Sequence, residues 1–372
     1  MKRTNKKSFF QKVVLTINIL LILGLLGSYL ATVISPEKYW IFAFLGLSYP
    51  FLLVANLLCI IFWLFKKKRY MLLSVITVLV GFQHLSSTIG FNSSKKSIVP
   101  PDSSNIRLMT YNVHHFKLLG TEVDTSARNN IFNLIEKEQP DIIAIQEFYT
   151  RKKGKFKSEN TIKDILNTRH YHFYCTSGND YESMGIAIFS KLPIIRQGNL
   201  TELDPKGANN GLWIDVQKDD QVLRVYTVHL ASIAFSPTDY YYFSRLSKMN
   251  TENEDLVHGK KIASRLKSAF VRRAQQVKVL KNYTDSCTTP YVIMGDFNDT
   301  PVSYSVHQIG KELKNSFKEK GSGIGITYNG EFPNFQIDYV FTSPQFTINS
   351  YKILKAVYSD HYPVKVDVRL DK

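Results

Sequence analysis

Asp296, Asn298 and Asp299 crowd into VIMGDFNDTP at 292–301, where an apolar strand runs through a glycine into two acids and an asparagine. An Asx-type turn before Thr-Pro would account for that composition by itself. The pattern recurs, however: apolar runs of strand length close on Asn112, on Glu147 and on His229. Asp338 interrupts the apolar run IDYVF, where an unpaired carboxylate costs several kcal/mol and so demands a partner. SDHYPV offers one, with Asp360 and His361 ahead of a strand-initiating Tyr-Pro-Val. A carboxylate holding one imidazole nitrogen fixes the ring for acid-base work. Carboxylates also suit a hard cation such as Mg²⁺, which takes oxygen ligands and keeps waters. Neutral amides such as Asn112 and Asn298 donate to anionic oxygens without competing for the cation, and imidazoles stabilise charge on a reacting oxygen. These are the groups needed to attack a phosphate ester, an anion that repels nucleophiles until its charge is neutralised.

Strands must carry these groups. Apolar runs at 106–112, 141–147, 185–190, 223–230, 291–296 and 337–343 have strand length and β-branched content, and helical periodicity marks 127–138 and 260–283. Polar strand ends in α/β proteins gather groups from distant parts of the chain onto one rim. On the 260–283 helix, Ile262, Leu266, Phe270, Val277 and Leu280 share a face with Arg273, while Arg272 falls on the polar side. A guanidinium on that face must snorkel or pair. The sharper expectation is a buried, bidentate pair with a carboxylate beneath the rim. His114, His115, His172, His258 and His307 are given no role, since lone histidines are more often structural.

The chain divides by solvent near residue 92. Residues 13–34 hold 22 positions without a charge, enough at 1.5 Å per residue to cross a hydrocarbon core of roughly 30 Å. Residues 39–65 do the same, and 71–91 is a weaker span because it carries Gln83, His84 and several hydroxyls. The first run exceeds the 7–15 residues usual for the apolar part of a cleaved signal peptide, so an uncleaved anchor is expected. Lysines and arginines lie in the N-terminal tail and in the second loop at Lys66, Lys67, Lys68 and Arg69, with only Lys38 between. The positive-inside rule then puts tail and second loop in the cytoplasm, and three spans put everything after residue 92 outside.

Of the 47 basic and 31 acidic residues, ten and one lie in the first 91, leaving 37 against 30 for the rest. That surplus suits an anionic substrate and falls short of the basic stripe of a dedicated nucleic-acid binder. RKKGKFK at 151–157 reads as a solvated loop. DYYYFSRL at 239–246 reads as loop packing, or else as a contact with substrate or membrane. Cys59, Cys175 and Cys287 have no zinc spacing, and the last two are expected as buried free thiols.

TYNVHHF, DIIAIQEF, GIAIFSKLPI, YTVHLAS, MGDFNDTP, IDYVF and SDHYPV, in that order, resemble the endonuclease/exonuclease/phosphatase family, and in style its membrane-anchored bacterial members. The resemblance implies a four-layered α/β sandwich over 104–372, with two mainly antiparallel sheets flanked by helices. A membrane anchor over 1–91 and a linker at 92–103 precede it. It implies a hydrolase with a divalent cation, Mg²⁺ or Mn²⁺, held by Glu147 with Asn112 and Asp360. Asp296 and Asn298 would orient the attacking water and bind phosphoryl oxygens, aimed by a turn at 299–301. His229 would donate to the phosphate, and His361 would be the second imidazole, braced by Asp338. The brace of His229 has no clear counterpart; Glu182 is the nearest candidate. Substrates so implied are a phosphodiester of nucleic acid or phospholipid, or a sugar or inositol phosphate monoester. A silent module that only binds a lipid headgroup is the rival. The bilayer is the one partner besides substrate, the location a bacterial inner membrane, and no obligate protein partner is implied.

Overall fold

The computed structural model describes the chain except residues 1–8, 93–103, 117–124, 154–156, 205–206, 208, 234, 236–237, 240–254, 331–333 and 372. The expected linker therefore lies outside the described residues apart from Asn92, as does the tyrosine-rich segment apart from Asp239.

Fourteen strands are described: β1 (Ile89–Phe91), β2 (Asn105–Asn112), β3 (Ile142–Arg151), β4 (His170–Gly178), β5 (Glu182–Ser190), β6 (Ile194–Asn199), β7 (Gly211–Lys218), β8 (Gln221–His229), β9 (Tyr291–Asp296), β10 (Lys314–Asn315), β11 (Ser322–Ile324), β12 (Asp338–Thr342), β13 (Phe346–Ile353) and β14 (Val364–Leu370). Two six-stranded sheets result, ordered β13-β14-β2-β3-β5-β4 and β10-β12-β9-β8-β7-β6. Each is antiparallel except at its centre, where β2 pairs with β3 and β8 with β9 in parallel. Strand alternation then builds the layers. Ile142 and Ala144 face the other sheet, meeting Leu212, Ile214, Val225 and Met294 in the central core. Ile143 and Ile145 face outward onto Ile131 and Ile135 of the helix Thr125–Glu138 and Ile162 of the helix Ser158–Leu166. On the far side Tyr226, Val228 and Ile293 pack on Val277 and Leu280 of the helix Asp255–Asp285. The expected four-layered sandwich is what forms.

The parallel pairs place the functional rim. The C-terminal end of β2, Asn112, lies opposite Gln146 partway along β3 in one sheet, and the C-terminal ends of β8 and β9 meet in the other. His229 lies opposite Asp296 in the β8–β9 register. The antiparallel strands add their beginnings: Asp338 opens β12 opposite Asp296, and β14 starts at Val364 opposite Thr110. Six chain segments thus deliver polar residues to one place.

At the N-terminus two helices, Phe9–Leu30 and Tyr49–Lys66, are long and apolar enough to cross a membrane. The second begins ten residues later than the apolar run at 39–65, and two short helices, Pro36–Tyr39 and Ile41–Leu47, precede it. The third run is not one straight helix: Lys68–Val80 meets Phe82–Thr88 at 66°, and residues 89–91 leave the helix as β1. Gly81 stands at that break. β1 pairs antiparallel with β11, joining the N-terminal region to the sandwich. The seat between them is close. A Cβ at Gly46 would lie 2.4 Å from the Val302 carbonyl oxygen, and Val302 packs with Leu25, Tyr49 and Leu53. Phe44 meets Phe270 edge-on at 5.3 Å, and the Gln308 amide donates to the Thr32 carbonyl at 3.2 Å.

All three cysteines are free; Cys175 is exposed and Cys287 half-buried, so the expectation of two buried thiols fails. Cys175 lies on β4, the outermost strand of its sheet.

Candidate active site

Glu147 does not end its strand, as the sequence suggested, but sits inside β3 at a bulge. Between Ile145 opposite Ala187 and Phe148 opposite Gly185, β3 carries one residue more than its partner. Glu147 takes up the excess with φ 51°, and its side chain turns to the rim while Phe148 resumes the outward packing. Gln146, fully buried, points into the gap between the sheets. Its amide donates to the Thr227 hydroxyl at 3.0 Å and its oxygen accepts from Thr110 at 3.2 Å. This polar link below the site was missed in the sequence, although two polar residues in succession within DIIAIQEF are its signal.

Asn112 joins the sheets above that link. Its amide donates to Glu147 Oε1 at 3.2 Å and to Asp296 Oδ2 at 3.0 Å, and its oxygen accepts from the His114 backbone. His229 Nε2 lies 3.6 Å from Asp296 Oδ2 and 3.8 Å from Glu147 Oε1. His361 Nδ1 lies 2.9 Å from Asp338 Oδ2, and its Nε2 is 3.7 Å from Asp296 Oδ2. Asp360 Oδ2 lies 3.1 Å from His114 Nδ1. All eight sequence-selected residues therefore reach one rim.

Two of the remaining side chains are engaged as follows. Asn298, at φ 51°, spends its side-chain amide on the Leu230 carbonyl at 3.0 Å and on Asp296 Oδ2 at 3.2 Å. Its backbone N–H donates to Asp296 Oδ1 at 2.8 Å, so it orients that carboxylate. Glu182 pairs with Tyr149 and Arg151 at the C-terminal end of β3, four residues beyond Glu147. Two histidines that were given no role belong here. His114 and His115 follow Asn112 in a tight turn with φ 44° and 53°, and His115 Nδ1 reaches Glu147 Oε2 at 3.3 Å. Their position two and three residues after the polar strand end Asn112 was the available clue.

Charge in the rim is sorted by these contacts. Burial pushes Glu147 upward, but His229, His115 and His114 outweigh it and hold the carboxyl below its ordinary value. Asp360 is held down to about 2, burial being outweighed by the bond to His114 and the charge of His361. Asp296 goes the other way, up to about 6, because complete burial and the charge of Asp338 exceed what the imidazoles return. Burial disfavours the His361 cation, yet Asp338 and Asp296 raise its pKa well above 6.5.

Beneath the rim, Arg273 is 1% exposed and donates through Nε to Asp299 Oδ2 at 3.0 Å and through Nη1 to the Ala231 carbonyl at 2.9 Å. The expected pair forms, with one carboxylate bond and one carbonyl bond where a bidentate fork was expected. Asp299 is thus more than a turn residue. Arg272 points away to Asp204, 42% exposed.

The donors fit a divalent cation. Glu147 and Asp360 are both held anionic and act on each other, and a quarter of the Glu147 side chain remains exposed. Asp296, Asp338 and His361 form a second group whose ligand atoms all lie within 4.8 Å, with Asp338 Oδ1 lacking a hydrogen-bond partner among the described residues. In that group, however, His361 Nδ1 is engaged by Asp338, whereas a hard cation prefers oxygen ligands throughout.

This fold and rim define a class. Residues 109–361 match the model of the endonuclease/exonuclease/phosphatase family, and the chain belongs to that family, whose members are divalent-metal-dependent hydrolases of phosphate esters. Residues 11–88 match a domain of unknown function, DUF8431. A search of curated proteins gives no match. Among solved structures, an endonuclease/exonuclease/phosphatase from Beutenbergia cavernae DSM 12333 is similar at 18% identity and TM-score 0.52, covering 72% of each chain. Family proteins from Leptotrichia buccalis C-1013-b (15%, TM-score 0.49, 71% of this chain and 100% of that one) and Bacteroides thetaiotaomicron (17%, 0.49, 72% and 98%) are also similar.

Proposed function

We propose that this protein is a membrane-anchored, divalent-metal-dependent phosphodiesterase. The observation that carries the reading is the convergence of a braced imidazole, His361 on Asp338, with Asp296, His229 and Glu147 at one rim. Glu147, with Asn112 and Asp360, would hold the cation, Mg²⁺ or Mn²⁺. When bound, the ion neutralises phosphate charge and polarises the ester. Asp296, oriented by Asn112 and Asn298, takes the proton of the attacking water as its oxygen bonds to phosphorus. The cationic His361 donates to a phosphoryl oxygen, and His229 hands a proton to the alcohol oxygen as the P–O bond breaks. His115 beside Glu147 supports the cation site.

The sandwich joins the helix Tyr49–Lys66 at its Tyr49 end, through Val302. Eighteen residues at 1.5 Å put Lys66–Arg69 roughly 27 Å away. With that basic loop cytoplasmic, the hydrolase lies outside the inner membrane of a bacterium. Alkaline phosphatase fused to the C-terminus should be active there; an inactive fusion with a fluorescent cytoplasmic one would reverse the orientation.

The direct test is turnover of bis(p-nitrophenyl) phosphate and p-nitrophenyl phosphate by the full chain in detergent, with EDTA, Mg²⁺ or Mn²⁺. Metal-dependent cleavage of the diester is expected. No cleavage of either ester with any ion would leave only a headgroup-binding module.

A further inference from the structure

β8 leaves its sheet at His229, and the residues that follow still carry main-chain groups that need partners. The His229 N–H donates to the Asn210 carbonyl at 2.8 Å and the Leu230 N–H to the Asp296 carbonyl at 2.9 Å, continuing the ladders on either side. Side chains then take over. The Leu230 carbonyl accepts from the amides of Asn209 at 3.1 Å and Asn298 at 3.0 Å. The Ala231 N–H donates to Gln276 Oε1 at 2.8 Å, and its carbonyl accepts from Arg273 at 2.9 Å. Gln276 closes the ring: its amide nitrogen donates to the Asn209 carbonyl at 3.1 Å.

Gln276 stands one turn after Arg273 on the helix Asp255–Asp285 and is 3% exposed. The next residue, Val277, packs with Leu280 in the apolar layer under β8 and β9. A side-chain amide buried there is costly unless both of its ends are bonded, and Gln276 bonds with both. What it ties together is specific. One end holds the residue two before β7 and the other the residue two after His229, so the entry to β7 and the exit from β8 are fixed to one helix.

His229 depends on that backbone more than His361 does. The His361 ring is held at Nδ1 by Asp338 at 2.9 Å. The carboxylates beside His229, Asp296 and Glu147, both lie at Nε2, at 3.6 and 3.8 Å, longer than a hydrogen bond. Where residues 229–231 run therefore sets where this imidazole stands. A displacement of about 1 Å at a reacting group can lower a rate by about 10².

We infer that Gln276 is a positioning residue for His229: with Asn209 it clasps the chain after β8 and holds the imidazole at the alcohol oxygen of the scissile ester. The inference rests on the phosphodiesterase reading and assigns the brace of His229 to its main chain, where the sequence offered only Glu182. Gln276 itself exchanges no proton; the proton passes from His229 to the alcohol oxygen as the P–O bond breaks.

The test uses the leaving group. p-Nitrophenol departs with little help from an acid, whereas phenol needs a proton as it leaves. Hydrolysis of bis(p-nitrophenyl) phosphate and of diphenyl phosphate is followed with the full chain in detergent, for the parent, Gln276→Met, Asn209→Ala and Val277→Ala. Gln276→Met should lower kcat on diphenyl phosphate by about 10- to 100-fold and on the nitrophenyl ester by about threefold or less, with KM for both little changed. Asn209→Ala, at a half-buried loop position, should shift the ratio of the two rates in the same direction, and it decides the matter if Gln276→Met does not fold. Val277→Ala removes packing beside Gln276 without removing a hydrogen bond to 229–231, and should leave the ratio as in the parent. Equal losses on the two esters in Gln276→Met and Asn209→Ala, or the same change of ratio in Val277→Ala, would make the clasp merely structural and leave the phosphodiesterase standing. A parent that cleaves only the nitrophenyl ester would show that no proton reaches the leaving oxygen, which also overturns the inference. No cleavage of either ester with Mg²⁺ or Mn²⁺ would overturn the phosphodiesterase reading and this assignment with it.

Discussion

Asp296 and Asp338 face each other across the β9–β12 pair, and the ring of His361 spans them, 2.9 Å from one carboxylate and 3.7 Å from the other. Asp338 is the brace and Asp296 the group that meets water in the proposed reaction. Asp338→Asn should keep the shape but lose the charge that holds the imidazolium. A fall in kcat of about 10²–10⁴ is expected, the range for removing one acid-base group, with KM for a soluble diester little changed. Steady-state kinetics decide it, and a loss confined to KM would move Asp338 from orienting to binding.

The same triad sets a pH dependence of stability in the metal-free chain. His361 has a folded pKa above 6.5, so its contribution is complete below 6.5 and is lost as pH rises through the folded value. Asp296, ordinarily near 3.8 and here about 6, acts in the same sense, losing its contribution between those values. Asp360 runs oppositely, since its folded pKa lies below 3.8: its contribution is present above that value and disappears toward about 2. Thermal unfolding in EDTA should therefore show Tm falling with alkalinity above about pH 6.5, and His361→Gln should flatten that fall. An unchanged slope in the variant would assign the dependence elsewhere.

Arg273 and Arg272 are neighbours with unlike fates. Arg273→Ala strands the buried Asp299 carboxylate and should cost about 3–5 kcal/mol. Arg272→Ala removes a half-exposed contact to Asp204 and should cost less than about 1 kcal/mol. Denaturant unfolding of the two variants beside the parent measures both. Equal losses would show that the pair under the rim contributes nothing special.

Gly295 has φ 148°, and a Cβ there would lie 2.1 Å from the Val228 carbonyl oxygen on the parallel neighbour strand. Gly295→Ala should cost roughly 2–4 kcal/mol through backbone strain and overpacking. It should also displace Asp296, the next residue, so that kcat falls at temperatures where the chain remains folded. A variant that unfolds normally but turns over like the parent would separate the strand geometry from the site.

Much of the site was legible because its logic is local. A polar residue closing an apolar strand is visible one strand at a time, as with Asn112, His229 and Asp296, and Asp338 is visible as a charge inside an apolar run. Arg273 was readable from helical period alone. What escaped needed the third dimension. The Glu147 bulge depends on how β3 registers with β5, which no single strand reveals, and Gln146 is satisfied only by Thr227 from the opposite sheet. The partners of His114 and His115, Asp360 and Glu147, are set by the turn that folds them back. The third apolar run had the length of a span, but its pattern did not disclose the 66° bend that ends in β1.

The seat of the N-terminal helices on the sandwich bears on how the enzyme can be prepared. A chain started at residue 92 would lack β1 and leave Ser322–Ile324 as a strand without its partner, an invitation to intermolecular pairing. Val302 and Phe270, now covered by Tyr49, Leu53 and Phe44, would face water beside it. Such a truncated protein would self-associate on purification, and weak activity in it would measure the lost partner surface, not the competence of the rim.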